Sequence, residues 1–322
     1  MTAQTRYDDN TRISAYKDCP RKYFLRHVMH WRSSGTAMPL VFGSSWHAAM
    51  DLVWLHAKTL PPDDLVAAGM AGFYEKWIEE GMPEDMDSAQ LEAIGIRNPG
   101  VAEDMLHCYI ADRRSVLQNC TLLSGEQGFA VPLPNMDQCW YVGKLDKVIE
   151  YQGQKLVIEH KSTTEYKKDG GFKSQYIEGW YSDSQVKGYQ FGAGLYYPGL
   201  TQVWVDAALV HKTVHDAFRF VPVAHSFPII KEWLDDTQSW IGSMQADEQY
   251  FEREGKLTPG NFRKNENSCM GKFGPCPYLD ICMTTPDPSA LEGPPEGYIV
   301  EPWEPFKILE LDKVLNKDKE TK

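Results

Sequence analysis

The sequence predicts an α/β fold in which a central mixed sheet is flanked by helices. Three features carry this expectation. The first third of the chain has a helical period, the middle switches to strand-like stretches from Gly125 onward, and helix and strand then alternate to about residue 251.

Residues 11–31 carry aromatic and aliphatic positions at Tyr16, Tyr23, Phe24 and Val28, which predicts a helix, with Pro20 suited to a first turn. A loop at Ser33, Ser34 and Gly35 follows. Gly43, Ser44 and Ser45 supply capping chemistry, so the next helix is expected to begin there and run through His47, Met50, Val53 and Trp54, with His47 near its start. Amphipathic helices are expected over 62–80 and 101–118. Strands follow at 127–133, 139–150 and 155–162, the last two joined as a hairpin by a turn at Gln152-Gly153-Gln154. A helix over 185–195, strands over 202–211 and 217–223, and a helix over 228–251 complete the pattern. The chain reads as a single domain over 1–322. Its tail, 286–322, is rich in Pro, Glu and Lys, and Tyr298, Trp303 and Phe306 mark it as a segment that docks.

With 42% hydrophobic and 24% charged residues in 322, the chain buries a sizeable core, which excludes disorder throughout. No uninterrupted apolar stretch reaches membrane-spanning length, and residues 1–10 lack the apolar centre of a secretory signal, so a cytoplasmic protein is expected. The net charge of -12 argues against coating nucleic acid by bulk electrostatics. Any DNA surface must be local. One basic run stands out: Arg12, Lys17, Arg21, Lys22, Arg26 and Arg32, with Asp18 the only acid between its ends.

Seven cysteines are an odd number for a disulfide framework. Cys108, Cys120 and Cys139 are scattered among apolar residues and read as core thiols, whereas Cys269, Cys276 and Cys282 cluster in a segment rich in Gly and Pro. Such a trio suits tetrahedral zinc as well as iron, and either needs a fourth ligand.

The stretch richest in chemistry is Gly143-Lys144-Leu145-Asp146, followed after twelve residues by Glu159-His160-Lys161. Side chains two apart on a strand share a face, so Glu159 and Lys161 point the same way and the hairpin brings Asp146 beside them. Converging carboxylates suit a hard dication such as Mg2+ or Mn2+, with Lys161 placed to orient a nucleophile or neutralise phosphate charge. Val157 and Ile158 lead straight into the charged pair, which marks the strand as buried. The main-chain carbonyl of His160 is a candidate fourth oxygen donor. Glu126 reads equally well as a surface glutamate or as an acid supporting the site.

In these residues the chain resembles the PD-(D/E)XK nucleases, and among them the RecB-like group. The resemblance is carried by Gly143-Lys144-Leu145-Asp146, by Glu159-His160-Lys161, by Gly43-Ser44-Ser45-Trp46-His47 with Asp51 four residues on, and by Gln185-Val186-Lys187-Gly188-Tyr189. It implies a restriction-endonuclease-like sheet, with His47, Asp146 and Glu159 as metal ligands and Lys161 as the catalytic lysine. Gln185 and Tyr189 would line the site and hold DNA. Cys19, in Tyr16-Lys17-Asp18-Cys19-Pro20-Arg21, resembles the N-terminal cysteine of the iron-sulfur branch, which includes the AddB nuclease domain and CRISPR-associated adaptation nucleases. That branch implies a 4Fe-4S cluster on Cys19, Cys269, Cys276 and Cys282, in a cap formed by 11–32 with 262–285, from which Arg21, Lys22 and Arg26 would track a DNA backbone. The function implied is a metal-dependent DNA exonuclease in recombination, repair or end processing. Partners other than DNA would be recombination or repair proteins. A non-catalytic DNA-end-binding protein stabilised by an iron-sulfur or zinc site is the alternative.

Overall fold

The structure, a computed structural model, describes residues 5–35, 37–167, 171–271 and 274–308. In chain order its elements begin with β1 (Arg6–Asp8), α1 (Asn10–Asp18), α2 (Pro20–Tyr23), a π-helical turn (Phe24–Val28), β2 (Trp31–Ser33), α3 (Met38–His56), α4 (Pro62–Glu79), α5 (Ser88–Ile94) and α6 (Pro99–Asn119). The central part comprises β3 (Thr121–Pro132), β4 (Cys139–Tyr151), β5 (Gln154–Thr163), α7 (Ser174–Gly179), a short 3-10 turn (Trp180–Ser182), α8 (Ser184–Tyr196), β6 (Gln202–Leu209) and β7 (Phe218–Val223). Last come α9 (Phe227–Glu254), β8 (Met270–Gly271), β9 (Gly274–Pro275), α10 (Leu279–Thr284), β10 (Tyr298–Val300) and α11 (Pro305–Ile308).

Among the described residues six strands form one sheet in the order β1-β4-β5-β6-β7, with β3 also paired to β4. The sheet is mixed, as the sequence predicts. β4 and β5 are antiparallel, β5 and β6 parallel, and β6 and β7 antiparallel. The β4–β5 hairpin closes through Gln152 and Gly153, both at positive φ (51° and 75°), between the paired residues Tyr151 and Gln154. That is the type I′ geometry whose twist matches the flanking strands. The parallel β5–β6 pair requires a crossover, which α7 and α8 provide.

The chain divides into two compact units. The first consists of Met1–Gly35, Phe129–Gly143 and Phe227–Lys322; the second consists of Thr36–Gly128 and Lys144–Ser226. In the second unit one core joins α3, α4 and α6 to the strands through Phe42, Trp46, Met50, Phe73, Leu106 and Ile158. Gly72 lets α4 approach α3 closely, because a Cβ there would lie 2.7 Å from the Ala48 carbonyl oxygen. In the first unit an aromatic cluster of Tyr23, Phe24, Phe251 and Phe262 packs α2 and the π turn against α9.

Several expectations shift. The helix carrying His47 starts at Met38, with Pro39 in its first turn, so His47 lies in its interior rather than near its start. The Ser44 hydroxyl, read as a cap, instead donates back to the Leu40 and Val41 carbonyls inside the helix. The single helix expected over 11–31 is broken at Cys19, whose extended backbone (φ -160°) separates α1 from α2. β1, α5 and α7 were not anticipated; β1 pairs in parallel with the first residues of β4. The tail docks through the expected aromatics as far as residue 308, its remainder lying outside the described residues. Tyr298 stacks on Tyr278, Trp303 receives Arg12, and Phe306 meets Tyr7 edge-on, while β10 pairs with β2. Among the described residues no helix is long and apolar enough to cross a membrane.

A buried polar network centres on Asp206 in the second unit. Asp206, 1% exposed on β6, accepts from Tyr109 (2.5 Å) and from Arg113 Nη2 (2.8 Å), and lies 3.2 Å from His160 Nδ1; Trp54 Nε1 donates to Tyr109. Burial works to raise the Asp206 carboxyl, but His160, Arg113 and Tyr109 hold it low. Asp206→Ala leaves the Arg113 charge buried without this partner. We expect it to lower the unfolding free energy by about 3–5 kcal/mol, read from urea denaturation of the variant against the parent chain.

Candidate active site

The β4–β5 ladder ends at the pair Lys147 and Ile158. One residue further out, Asp146 has no ladder partner on β5; its Oδ2 accepts the main-chain N–H of His160 at 2.8 Å. The strands separate here and a carboxylate enters the gap. Glu159 and Lys161 share a face of β5, as their spacing predicts, with Lys161 Nζ 2.5 Å from Glu159 Oε1. Helix α3, which contacts β5, brings His47 Nδ1 to 3.2 Å from Asp146 Oδ2. Asp51, one turn further along α3, holds Lys147 at 2.7 Å.

Glu126 completes the cluster. Among the described residues, the group of three or more His, Cys, Asp or Glu ligand atoms lying within 4.8 Å of one another is His47, Glu126 and Asp146. Glu126 also pairs with Lys144, and its backbone is left-handed (φ 48°), a conformation that costs a non-glycine residue about 1–2 kcal/mol. Strain of that kind on a strand beside clustered acids favours the reading of Glu126 as part of the site. Glu159 stands slightly apart, bound to Lys161, and its other oxygen, Oε2, is buried without a hydrogen-bond partner.

The electrostatics are those of a cation cradle. Burial raises the Glu159 carboxyl to about 7 with Asp146 adding to the effect, while Lys161 and His47 oppose it. Burial also works to raise Asp146, but His47, His160 and Lys161 hold it far below the ordinary carboxylate range. Burial opposes the charge on His47 and Lys161, yet the neighbouring carboxylates prevail and raise both, Lys161 to about 12. Glu126 is raised by burial and by Asp51. An unpartnered buried carboxylate oxygen beside a His, two further acids and a lysine is a donor set suited to a hard divalent ion. His47, Asp51, Glu126, Asp146 and Lys161 line a groove of about 800 Å3 with the exposed Leu40 at its side.

The remaining predicted residues divide. Helix α8 is capped by Asp183, whose charge acts on Lys161, and carries Gln185 and Tyr189 with Gln185 Nε2 donating to the Tyr189 hydroxyl at 2.7 Å. The His160 ring points away from the acids to Asp206. In the first unit, Cys19, Cys269, Cys276 and Cys282 line one small cavity together with Lys22, Asn265 and Tyr278. Asn265 and Ser268 side chains both donate to the Asp18 carbonyl at 2.8 Å, and the Asn265 N–H points to Cys19 Sγ at 3.4 Å. Cys276 and Cys282 are each raised by burial. No three of the four thiols come within 4.8 Å of one another. Cys120 and Cys139 are buried thiols, and Cys108 is half-buried.

The members of the basic segment have partners within the first unit. Arg21 is 7% exposed and donates to the Phe262 and Pro286 carbonyls, so its guanidinium is turned inward onto the main chain. Lys22 is paired with Asp18 and Arg26 with Glu301. The Asp206 network was missed altogether. Its only trace in the sequence is an acid in an otherwise apolar strand.

No curated protein matches the chain. Among solved structures, an alkaline exonuclease from Laribacter hongkongensis is similar at 12% identity, covering 65% of this chain and 96% of that one with a TM-score of 0.31. A candidate exonuclease from Eubacterium rectale is similar at 13% identity, covering 87% and 93% with a TM-score of 0.44. The family model of the PD-(D/E)XK nuclease superfamily matches residues 10–283, a span that contains His47, Glu126, Asp146, Glu159 and Lys161. With a mixed sheet, an acid at the splayed end of one strand and a Glu-x-Lys on its neighbour, this chain belongs to the PD-(D/E)XK nuclease superfamily.

Proposed function

We propose that the chain is a Mg2+- or Mn2+-dependent deoxyribonuclease that acts as an exonuclease, in recombination, repair or end processing. The observation that carries this reading is the meeting of Asp146, Glu126, His47 and Lys161 in one groove, with the buried Glu159 paired to Lys161 beside it. His47, Asp146 and Glu159 would hold the ion, with Glu126 and the His160 carbonyl as further oxygen donors. When bound, a divalent ion supplies Lewis-acid stabilisation of the scissile phosphate and acidifies water.

The residues of the chain do the rest. Lys161, kept charged by Glu159 and Asp146, neutralises negative charge growing on the phosphate oxygens. The His160 N–H fixes the rotamer of Asp146, and Asp206 fixes the His160 ring from the opposite side. Gln185 and Tyr189, tied to each other on α8, would border the bound strand. The acids, the histidine and the lysine are all present, which counts against a decayed, purely DNA-binding protein.

For the cysteines we infer a 4Fe-4S cluster in a cap built from 11–32 and 262–285. The feature that supports it is the shared cavity, with an N–H directed at a sulfur.

Three outcomes are expected. Lys161→Ala lowers cleavage of end-labelled linear DNA in Mg2+ or Mn2+ by about 10²–10³-fold, while its DNA affinity stays within about threefold of the parent chain; circular substrates and EDTA controls complete the assay. Glu126→Gln weakens Mn2+ binding by about 10–100-fold in calorimetric titration, whereas unaltered affinity would return Glu126 to the surface. Anaerobically purified protein is brown, with absorbance at about 400 nm that Cys276→Ser abolishes; a colourless protein holding zinc would reverse the cluster assignment.

A further inference from the structure

Directly beyond the catalytic strand, the chain runs into an unusual concentration of rings. Tyr166 follows Lys161 by five residues, so it lies at most about 18 Å along the chain from it. It is 38% exposed, with its main chain fixed by the Thr164 carbonyl and a bridge to Phe172, and its ring set edge-on against His211 at 4.5 Å. Phe172 stacks on Tyr176 (6.0 Å, 12°), and Tyr176 meets Trp180 edge-on. The array follows directly in the chain on β5, whose Lys161 and Ser162 line the catalytic groove. Next in the chain is Tyr181, 54% exposed, whose carbonyl accepts from His225 Nε2 at 2.8 Å. Both outer tyrosines therefore have a held backbone and a ring left to solvent.

A cation stands beside them. Arg97 is half-buried and donates to the Thr164 hydroxyl at 3.4 Å. Burial disfavours its charge, and among the described residues no carboxylate pairs with it. In a chain of net charge -12, a partly desolvated guanidinium without an acid next to the catalytic strand is suited to a phosphate. Exposed rings on a fixed backbone suit unpaired bases, since the faces of paired bases are already stacked in a duplex.

We propose that Arg97, Tyr166 and Tyr181 form a single-strand track leading to the metal groove, with Arg97 holding a backbone phosphate and the two tyrosines stacking bases. The track deepens the nuclease reading and rests on it for its direction toward the acids. The test is fluorescence anisotropy of a labelled oligothymidine and of a blunt hairpin duplex, in Ca2+ over a salt series, with cleavage by the unaltered chain in Mg2+ and Mn2+ run alongside. Arg97→Ala should flatten the slope of log K against log salt by about 0.7 for the single strand. Tyr166→Ala and Tyr181→Ala should each weaken single-strand binding by about tenfold with the slope unaltered, while the Tyr→Trp versions retain it. Variants that bind like the parent chain overturn the track, as do an equal loss on the duplex or a loss in the Trp versions. If the unaltered chain does not cleave, the nuclease reading falls, and the anisotropy comparison still decides whether the surface binds single strands.

Discussion

Glu159 sits almost wholly out of solvent with Asp146 beside it, and the free energy of holding two negative groups there governs how the surrounding residues are arranged. Burial alone would neutralise both. Lys161 and His47 supply part of the compensation, and the two acids share it unequally. Asp146 takes the His47 contact and the His160 N–H and stays ionised, while Glu159 keeps one oxygen on Lys161 and one with no partner. That unclaimed oxygen is the feature a cation would satisfy. The fold serves this arrangement by ending a β-ladder one residue early, so that a side chain takes the place of a main-chain acceptor.

The face that carries the acids and the face that stiffens them are opposite sides of the same three residues of β5. Glu159 and Lys161 pair on one face, Lys161 lining the groove, while His160 between them points to Asp206, which also gathers Tyr109 and Arg113. A strand can do this because its side chains alternate. The cradle is thus braced from behind by helix α6, whose own residues never enter the groove.

Much of this was legible in the sequence, for identifiable reasons. The period of two placed Glu159 and Lys161 together, and a tight turn at Gln152 and Gly153 fixed the hairpin that brings Asp146 near them. Helices α4 and α6 were clear because their apolar stripes are long. What stayed hidden depends on partners distant in sequence. Glu126 looked like any glutamate because its left-handed backbone and its distance to His47 exist only in the fold. The start of α3 was misplaced because serines read as caps can equally bond back along a helix, as Ser44 does. Composition likewise shows a basic run, but not that Arg21 is the member that turns inward to bind the Phe262 and Pro286 carbonyls.

The joining of Asp18, Cys19 and Arg21 to residues 262–286 also has a meaning for biosynthesis. The early cysteine emerges from the ribosome long before its distant companions, at roughly 5–20 residues per second a delay on the order of tens of seconds. During that interval the helices around it have no late segment to close upon, and their thiol stands open to oxidants. A chain interrupted before the last segment is made would carry the nuclease acids yet never shut its first unit, leaving a recognisable target for quality control.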